Sequence, residues 1–227
     1  AGQSGRGQQF AGRWGELIFV VFPNLELGRK GYKTYKDTIA GLGRDPASVR
    51  LAPAVYCIAG ETKAMAEDKR ALIDGLAKPV DALALLSEVL NFDFASRPMD
   101  EPLSDADVKS MSGLRAIIDR VSTLSGKARP TIRDFVQYSN RGTLREFPCF
   151  VGTPKDVVDQ MEEWFTAPAC DGFVIAATHL PGGYEDFVRL IVPELQRRGL
   201  HQTDYKGATL RENLGLPKAA IGDWHGG

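Results

Sequence analysis

Apolar runs alternate with amphipathic segments along most of the chain. Three runs have the length of a β-strand and are almost entirely apolar, at 16–22, 49–58 and 171–178. Strands buried on both faces show such solid runs, whereas a strand with one solvated face alternates polar and apolar residues. The pattern therefore predicts an α/β fold with a parallel sheet covered by helices, and a further short strand near 148–151.

Helical periodicity marks the segments between these strands. An apolar stripe at spacings of three and four residues predicts a helix over 25–42, which ends at Gly43 as helices commonly do. Thr153 and Pro154 have the residue types that start a helix. Further helices are predicted over 61–76 and 184–198. The first of these is expected to bury a narrow face made of Ala64, Ala66, Ala71, Leu72 and Leu76.

The segment 78–146 breaks this alternation. It has helical patterns at 79–91, 113–124 and 131–138 but contains no convincing strand. We therefore predict a helical insertion within one domain that spans 1–227 and ends in a tail over 199–227. Such an insertion can line or cover a pocket, and it can equally pack against the outside of the fold.

Composition and charge narrow the class of protein. The 227 residues are 43% hydrophobic and 25% charged, which is enough to bury a core, and the net charge of -1 argues against nucleic-acid binding. The apolar runs are shorter than the roughly 20 residues of a membrane-spanning helix. Cys57, Cys149 and Cys170 lack CxxC spacing, which favours free thiols in a reducing cytoplasm over a metal site or a catalytic thiol.

A turn of small residues at 1–7 precedes a short predicted helix over 8–14. Gly2, Gly5 and Gly7 let the backbone approach an anion closely, and the first amides of a helix lack internal partners. Ser4 adds a hydroxyl and Arg6 adds a permanent charge, so the turn has the chemistry of a phosphate site. The alternative is an ordinary helix N-cap with Ser4 as the capping residue, which spacing alone favours by about two to one.

Thr178 and His179 are the other candidate site residues. They follow the last predicted strand, and parallel α/β folds carry their sites at the carboxyl ends of the strands. His179 is expected either to contact a substrate or cofactor or to be a polar residue at a helix entry. No metal site and no catalytic residue is identified.

Six motifs together carry a family resemblance over essentially the whole chain. The chain resembles the bacterial-luciferase-like FMN-dependent monooxygenases, and within them the group of nitrilotriacetate, dibenzothiophene-sulfone and long-chain-alkane monooxygenases. The motifs are A-G-x-S-x-x-G-x-x-F-A at 1–11, V-G-T-P at 151–154, D-G-F at 171–173, P-G-G-Y-E-D-F at 181–187, P-E-L-Q-R-R-G-L at 193–200 and Y-K-G-A-T-L-R-E-N-L-G-L at 205–216.

The resemblance implies the C-terminal half of a TIM (β/α)8 barrel. The chain would supply the turn after the fifth strand and the sixth to eighth strands, with the helical insertion between the seventh and the eighth. The family uses reduced FMN, delivered by a separate NAD(P)H:flavin reductase, and O2 to oxygenate a small organic substrate. It also places the flavin phosphate in this turn, which favours Ser4, Gly5, Arg6, Gly2 and Gly7 as cofactor-binding residues.

A half barrel lacks many of the family's contacts to the flavin ring and much of its substrate wall. The chain alone is therefore expected to be inactive, with its sheet covered by a missing N-terminal half or by a second copy. Two other interpretations stay open: a shortened, non-catalytic flavin-binding or scaffold relative, and a different phosphate-binding barrel that has the same turn. The substrate itself is not identified from the sequence.

Overall fold

The computed structural model describes residues 4–218. These residues divide into two compact units, one formed by 4–67 with 147–218 and the other by 68–146. Gly2 and the end of the predicted tail lie outside the described residues. Within 4–218 no helix is both long and apolar enough to cross a membrane.

The first unit contains a sheet of four parallel strands. They are β1 (Leu17–Val20), β2 (Arg50–Ala59), β3 (Cys149–Gly152) and β4 (Val174–Ala176). Strand β2 pairs with each of the other three, and every pairing is parallel. The predicted parallel sheet is confirmed, although β4 covers only three residues of the apolar run 171–178.

The central strand β2 is paired along both of its edges. The amides of Arg50 and Tyr56 donate to the residues just before β1 and β3, whereas the carbonyl of Leu51 accepts from Asp171, just before β4. Alternate residues of a strand direct their backbone groups to opposite edges. Strands β1 and β3 therefore lie along one edge of β2, and β4 lies along the other.

The described part of the chain contains eleven named α-helices and one π-helical segment. The π-helical turn joins α9 to α10, so that 182–197 form one continuous helix. In chain order they are α1 (Gly5–Trp14), α2 (Leu25–Gly41), α3 (Lys63–Leu76), α4 (Pro79–Leu90), α5 (Asp105–Ser110), α6 (Ala116–Ser125), α7 (Ile132–Tyr138), α8 (Pro154–Thr166), α9 (Gly182–Asp186), the π-helix Phe187–Ile191, α10 (Val192–Arg197) and α11 (Leu210–Asn213).

The two faces of the sheet differ in burial. One face, the core face, packs in a cluster with residues of α2 and α8, and its members are Ile18, Val20, Leu51, Val55, Cys57 and Phe150. The register places Leu17, Phe19 and Val174 on the opposite face, which we call the open face. There the central strand is buried, but Leu17 and Phe19 are 51% and 44% exposed.

The second unit has its own apolar core, built from α4, α6, α7 and the segments between them. Its most buried members, each at most 2% exposed, are Leu86, Leu90, Phe94, Leu103, Met111, Val121, Ile132 and Phe135. Helix α3 leads into this unit, and the prediction for its apolar face is wrong at four of five positions. Ala66 is buried, but Ala64, Ala71, Leu72 and Leu76 are exposed, the two leucines at 67% and 63%.

Candidate functional site

Helices begin where the strands of the first unit end, and capping residues make these connections short. Asn24 precedes α2 and accepts from the amide of Leu27 at 2.9 Å. Thr153 precedes α8 and accepts from the amide of Asp156, whose carboxylate accepts in return from the amide of Thr153 at 3.0 Å. This reciprocal pair is a capping box. It fixes the entry of the chain into α8 at the carboxyl edge of the sheet.

Gly152 lies in the connection between β3 and α8. Its φ is +148°, and a Cβ at this position would lie only 2.6 Å from the Cβ of Asp156. There is therefore no room for a side chain. Its carbonyl accepts from the amide of Gly60 at 3.1 Å, which joins the ends of β3 and β2. Hydrogen bonds from Thr153 lower the pKa of Asp156, so that its carboxylate remains charged at the helix start.

Ser4 is the N-cap of α1. Its Oγ accepts from the amide of Gly7 at 3.2 Å, and its carbonyl accepts from the amide of Gln8 at 2.8 Å. The amides of Gly5 and Arg6 have no hydrogen-bond acceptor within residues 4–218. Both residues and Ser4 are exposed, so a hydroxyl, two amides and a guanidinium lie on the surface within three consecutive residues.

Thr178 and His179 lie at the entry to α9. The Thr178 hydroxyl and Nδ1 of His179 are 3.0 Å apart. The imidazole lies against Gly182, where a Cβ would come within 2.6 Å of Nε2, and Gly183 packs in the same way on Thr178. The pair therefore makes helix-entry contacts, while His179 as a whole remains exposed. A contact with substrate or cofactor stays a prediction.

A buried polar network that the sequence analysis did not predict lies at the amino end of the sheet. The Asp171 carboxylate is 2.9 Å from the Lys36 ammonium and also accepts from the Tyr32 hydroxyl and the Leu51 amide. Lys36 donates to the Val49 carbonyl as well. The side chains of Lys36 and Asp171 are only 14% and 13% exposed.

Burial of this network, followed by the hydrogen bond to Asp171, raises the pKa of Tyr32 above its usual range. The network lies beside the starts of β2 and β4, opposite the loops that carry the candidate site. Its role is therefore to hold α2 to the sheet. The spacing of Tyr32 and Lys36, one helical turn apart, was the sequence signal available for it.

The thiols show no sign of activation. Burial raises the pKa of Cys170 to about 12 and that of Cys57 further still, so both thiols are neutral. None of the three cysteines forms a disulfide bond within the described residues. Residues 4–218 contain no group of three or more His, Cys, Asp or Glu side chains able to hold a metal ion.

Comparison with known proteins identifies the relatives. The chain is 35% identical over 219 residues, 96% of its length, to N-acetyl-S-(2-succino)cysteine monooxygenase of Bacillus subtilis. It is 34% identical to dibenzothiophene-sulfone monooxygenase of Rhodococcus erythropolis and to nitrilotriacetate monooxygenase component A of Aminobacter aminovorans, over 95% and 97% of the chain. The homologues of this chain are luciferase-like monooxygenases. No family model matches it.

The chain spans about half the length of these relatives, 48% to 49% of each. Among solved structures it resembles DmoA from Hyphomicrobium sulfonivorans, with a TM-score of 0.72 and 31% identity over 94% of the chain and 44% of DmoA. It also resembles the riboflavin lyase RcaE, solved with modified FMN and riboflavin, with a TM-score of 0.74 and 25% identity over 95% of the chain and 46% of RcaE. The predicted family and its parallel α/β architecture are confirmed.

Proposed function

We propose that the chain is the C-terminal half of a two-component, FMN-dependent monooxygenase that oxygenates a small organic substrate with reduced FMN and O2. The support is homology to monooxygenases over almost the whole chain, one of them named as a component A. In this proposal β1, β2 and β4 are the sixth, seventh and eighth strands of a (β/α)8 barrel. Residues 78–146 are then the insertion between the last two of these strands.

The donor set at the start of α1 is the observation that supports FMN. A phosphate needs several hydrogen-bond donors and positive charge, and the exposed amides of Gly5 and Arg6, the Ser4 hydroxyl and the Arg6 guanidinium supply both. A hydroxyl has one donor and two acceptor positions, so Ser4 can cap Gly7 and donate to a phosphate at the same time. The two interpretations of Ser4 are therefore compatible.

Bound reduced FMN would supply the electrons with which O2 delivers one oxygen atom to the substrate and the other to water. In this scheme Ser4, Gly5 and Arg6 hold the phosphate, with Gly7 completing the turn and Gly2 preceding it. Thr178 and His179, at the carboxyl edge of the sheet, are proposed to line the substrate side. The catalytic groups are left to the barrel half that this chain does not contain.

The exposed apolar side chains on the open face of the sheet support the proposal that further chain covers this face. Leu17, Phe19 and Val174 are exposed on strands whose other face is a closed core. We assign this covering to the missing half of the barrel, with a second copy as the alternative, and the reduced flavin to an NAD(P)H:flavin reductase in the cytoplasm. A non-catalytic flavin-binding relative is the competing function, and turnover with added reductase separates the two.

Ser4→Ala in the protein that includes both halves tests the phosphate site. Loss of one hydrogen bond to a charged phosphate is expected to weaken FMN binding about tenfold or more. Loss of the cap is expected to lower stability by about 1 kcal/mol in the same variant. Flavin titration and thermal melts measure the two effects separately.

Ser104→Ala is the matched control, because Ser104 caps α5 through the same contact, an amide donating to its Oγ, here at 3.1 Å. The Ser104 hydroxyl also donates to the Asp107 carboxylate at 2.7 Å, so this variant is expected to lower stability at least as much as Ser4→Ala. It is expected to leave FMN affinity unchanged. A Ser4→Ala protein with a lower melting temperature and an unchanged FMN dissociation constant would show that Ser4 is only a cap.

A further inference from the structure

The helical insertion contains an open cavity of about 420 Å³. It lies entirely within 68–146, between the end of α3, the start of α4, α7 and the loop that follows α7. Its lining includes four cations. Arg70, Lys78, Arg141 and Arg145 face it together with one carboxylate, Asp74.

Two of these four cations lack a counter-charge. Arg141 is paired with Glu146, and Arg70 lies 3.8 Å from Asp74. Within residues 4–218, Lys78 and Arg145 form no ion pair. These two ion pairs cancel in charge. The net positive charge of the cavity therefore comes from Lys78 and Arg145.

Cations elsewhere in the insertion are of both kinds. Arg97 is paired with Asp107 and Arg129 with Asp105, both at 2.8 Å, whereas Arg120 forms no ion pair within the described residues. Lys78 and Arg145 differ from Arg120 in that they line the same cavity, where their charges repel each other. An anion bound between them offsets that repulsion.

The loop that carries Arg145 is ordered by its own hydrogen bonds. The Asn140 side-chain amide donates to the Arg145 carbonyl at 2.8 Å, and the Thr143 hydroxyl donates to the Asn140 carbonyl at 2.8 Å. Gly142 adopts a φ of +68°, which a residue with a side chain rarely does. The backbone of Arg145 is thus held in place before any ligand arrives, which reduces the entropy lost on binding.

We infer that this cavity binds a compact polyvalent anion, a small molecule with two or more phosphate or carboxylate groups. The guanidinium of Arg145 matches either group in a two-point contact, and the ammonium of Lys78 supplies a second charge. This inference does not depend on the proposed function, because every residue that carries it lies in the insertion.

Calorimetric titration of the 227-residue chain with pyrophosphate and with citrate, at constant ionic strength, tests the site. We expect saturable binding of one equivalent of at least one probe, and the stronger binder identifies the group that the site prefers. Arg145→Gln or Lys78→Gln is expected to weaken that binding about tenfold or more, since each removes a charge-assisted contact.

Arg120→Gln is the control, because Arg120 is an exposed cation on α6 that forms no ion pair within the described residues. It removes the same charge from a surface that does not line the cavity, and it is expected to leave binding unchanged. Absence of saturable binding with both probes, or an equal loss in Arg120→Gln, would overturn the inference. Thermal melts confirm that each variant is folded.

Discussion

The two units of the chain complete their hydrophobic cores to different extents. In the insertion, short helices and loops enclose Leu90 and Phe135 from every side. In the first unit the sheet is closed on its core face, whereas Leu17 and Phe19 on the open face are about half exposed. Helices can be packed around one small core, but a parallel sheet needs cover on both of its faces. We therefore expect the first unit, unlike the insertion, to need further chain to cover its open face.

Ion pairs in the described part of the chain differ in burial. Arg129–Asp105 in the insertion and Lys33–Asp37 in the first unit are exposed. The Lys36–Asp171 pair of the first unit is instead buried and is satisfied by additional hydrogen bonds. Exposed pairs contribute little to stability, whereas breaking a buried pair leaves an uncompensated charge in a poorly solvated place. The same chemical change should therefore have very different effects in the two settings.

Asp171→Asn is expected to have the largest effect. It leaves the Lys36 ammonium buried without a counter-charge and should lower the free energy of unfolding by about 3–5 kcal/mol. Asp37→Asn, which breaks the exposed Lys33–Asp37 pair, is the control and should cost less than about 0.5 kcal/mol. Urea denaturation of both variants measures the difference, and equal costs would contradict the structural role of the network.

A pair of leucine variants tests the contrast between the two faces of the sheet. Leu51 on the core face is fully buried, and Leu51→Ala should lower the free energy of unfolding by about 2–5 kcal/mol. Leu17→Ala on the open face should cost less than about 1 kcal/mol in this chain, since its side chain is already half exposed.

The same Leu17→Ala change can be measured again with the missing half of the barrel present. If that half covers the open face, the cost should then rise toward the value for Leu51→Ala. Denaturation with and without the second half measures this. A cost that stays the same in both preparations would show that the open face is a true surface.

The smallest expected effect is on acid stability. Hydrogen bonds first from the Arg97 guanidinium and then from Ser104 lower the pKa of Asp107 to about 2. In the unfolded chain this carboxyl has a pKa of about 3.9. Its contribution to stability is therefore complete above about pH 4 and is lost as the pH falls through about 2.

Glu194 makes the matching test in the first unit, because Arg197 and then Arg198 lower its pKa to about 2. Unfolding of the parent, Asp107→Asn and Glu194→Gln proteins between pH 5 and pH 2 measures the slopes. Each variant should show a shallower loss of stability with falling pH. A variant that loses stability with falling pH as steeply as the parent would show that its carboxylate does not contribute to acid stability.

Local signals in the sequence were enough for much of the first unit. The solid apolar runs predicted the parallel strands, because strands buried on both faces carry few polar residues. Thr153 and Pro154 marked the start of α8 through the chemistry of capping, which is local. Apolar periodicity was less reliable at Leu72 and Leu76, because helical spacing does not say whether a neighbour exists to pack against.

The sequence by itself determined the family, the order of the elements and the Ser4 turn, because these depend on residue types at fixed spacings along one stretch of chain. Only the tertiary structure decided that Lys36 and Asp171, 135 positions apart, share one buried network. It also decided which side chains of β1 remain uncovered and that Lys78 and Arg145 face one cavity. Burial and pairing are properties of residues brought together from distant positions, and no local pattern contains them.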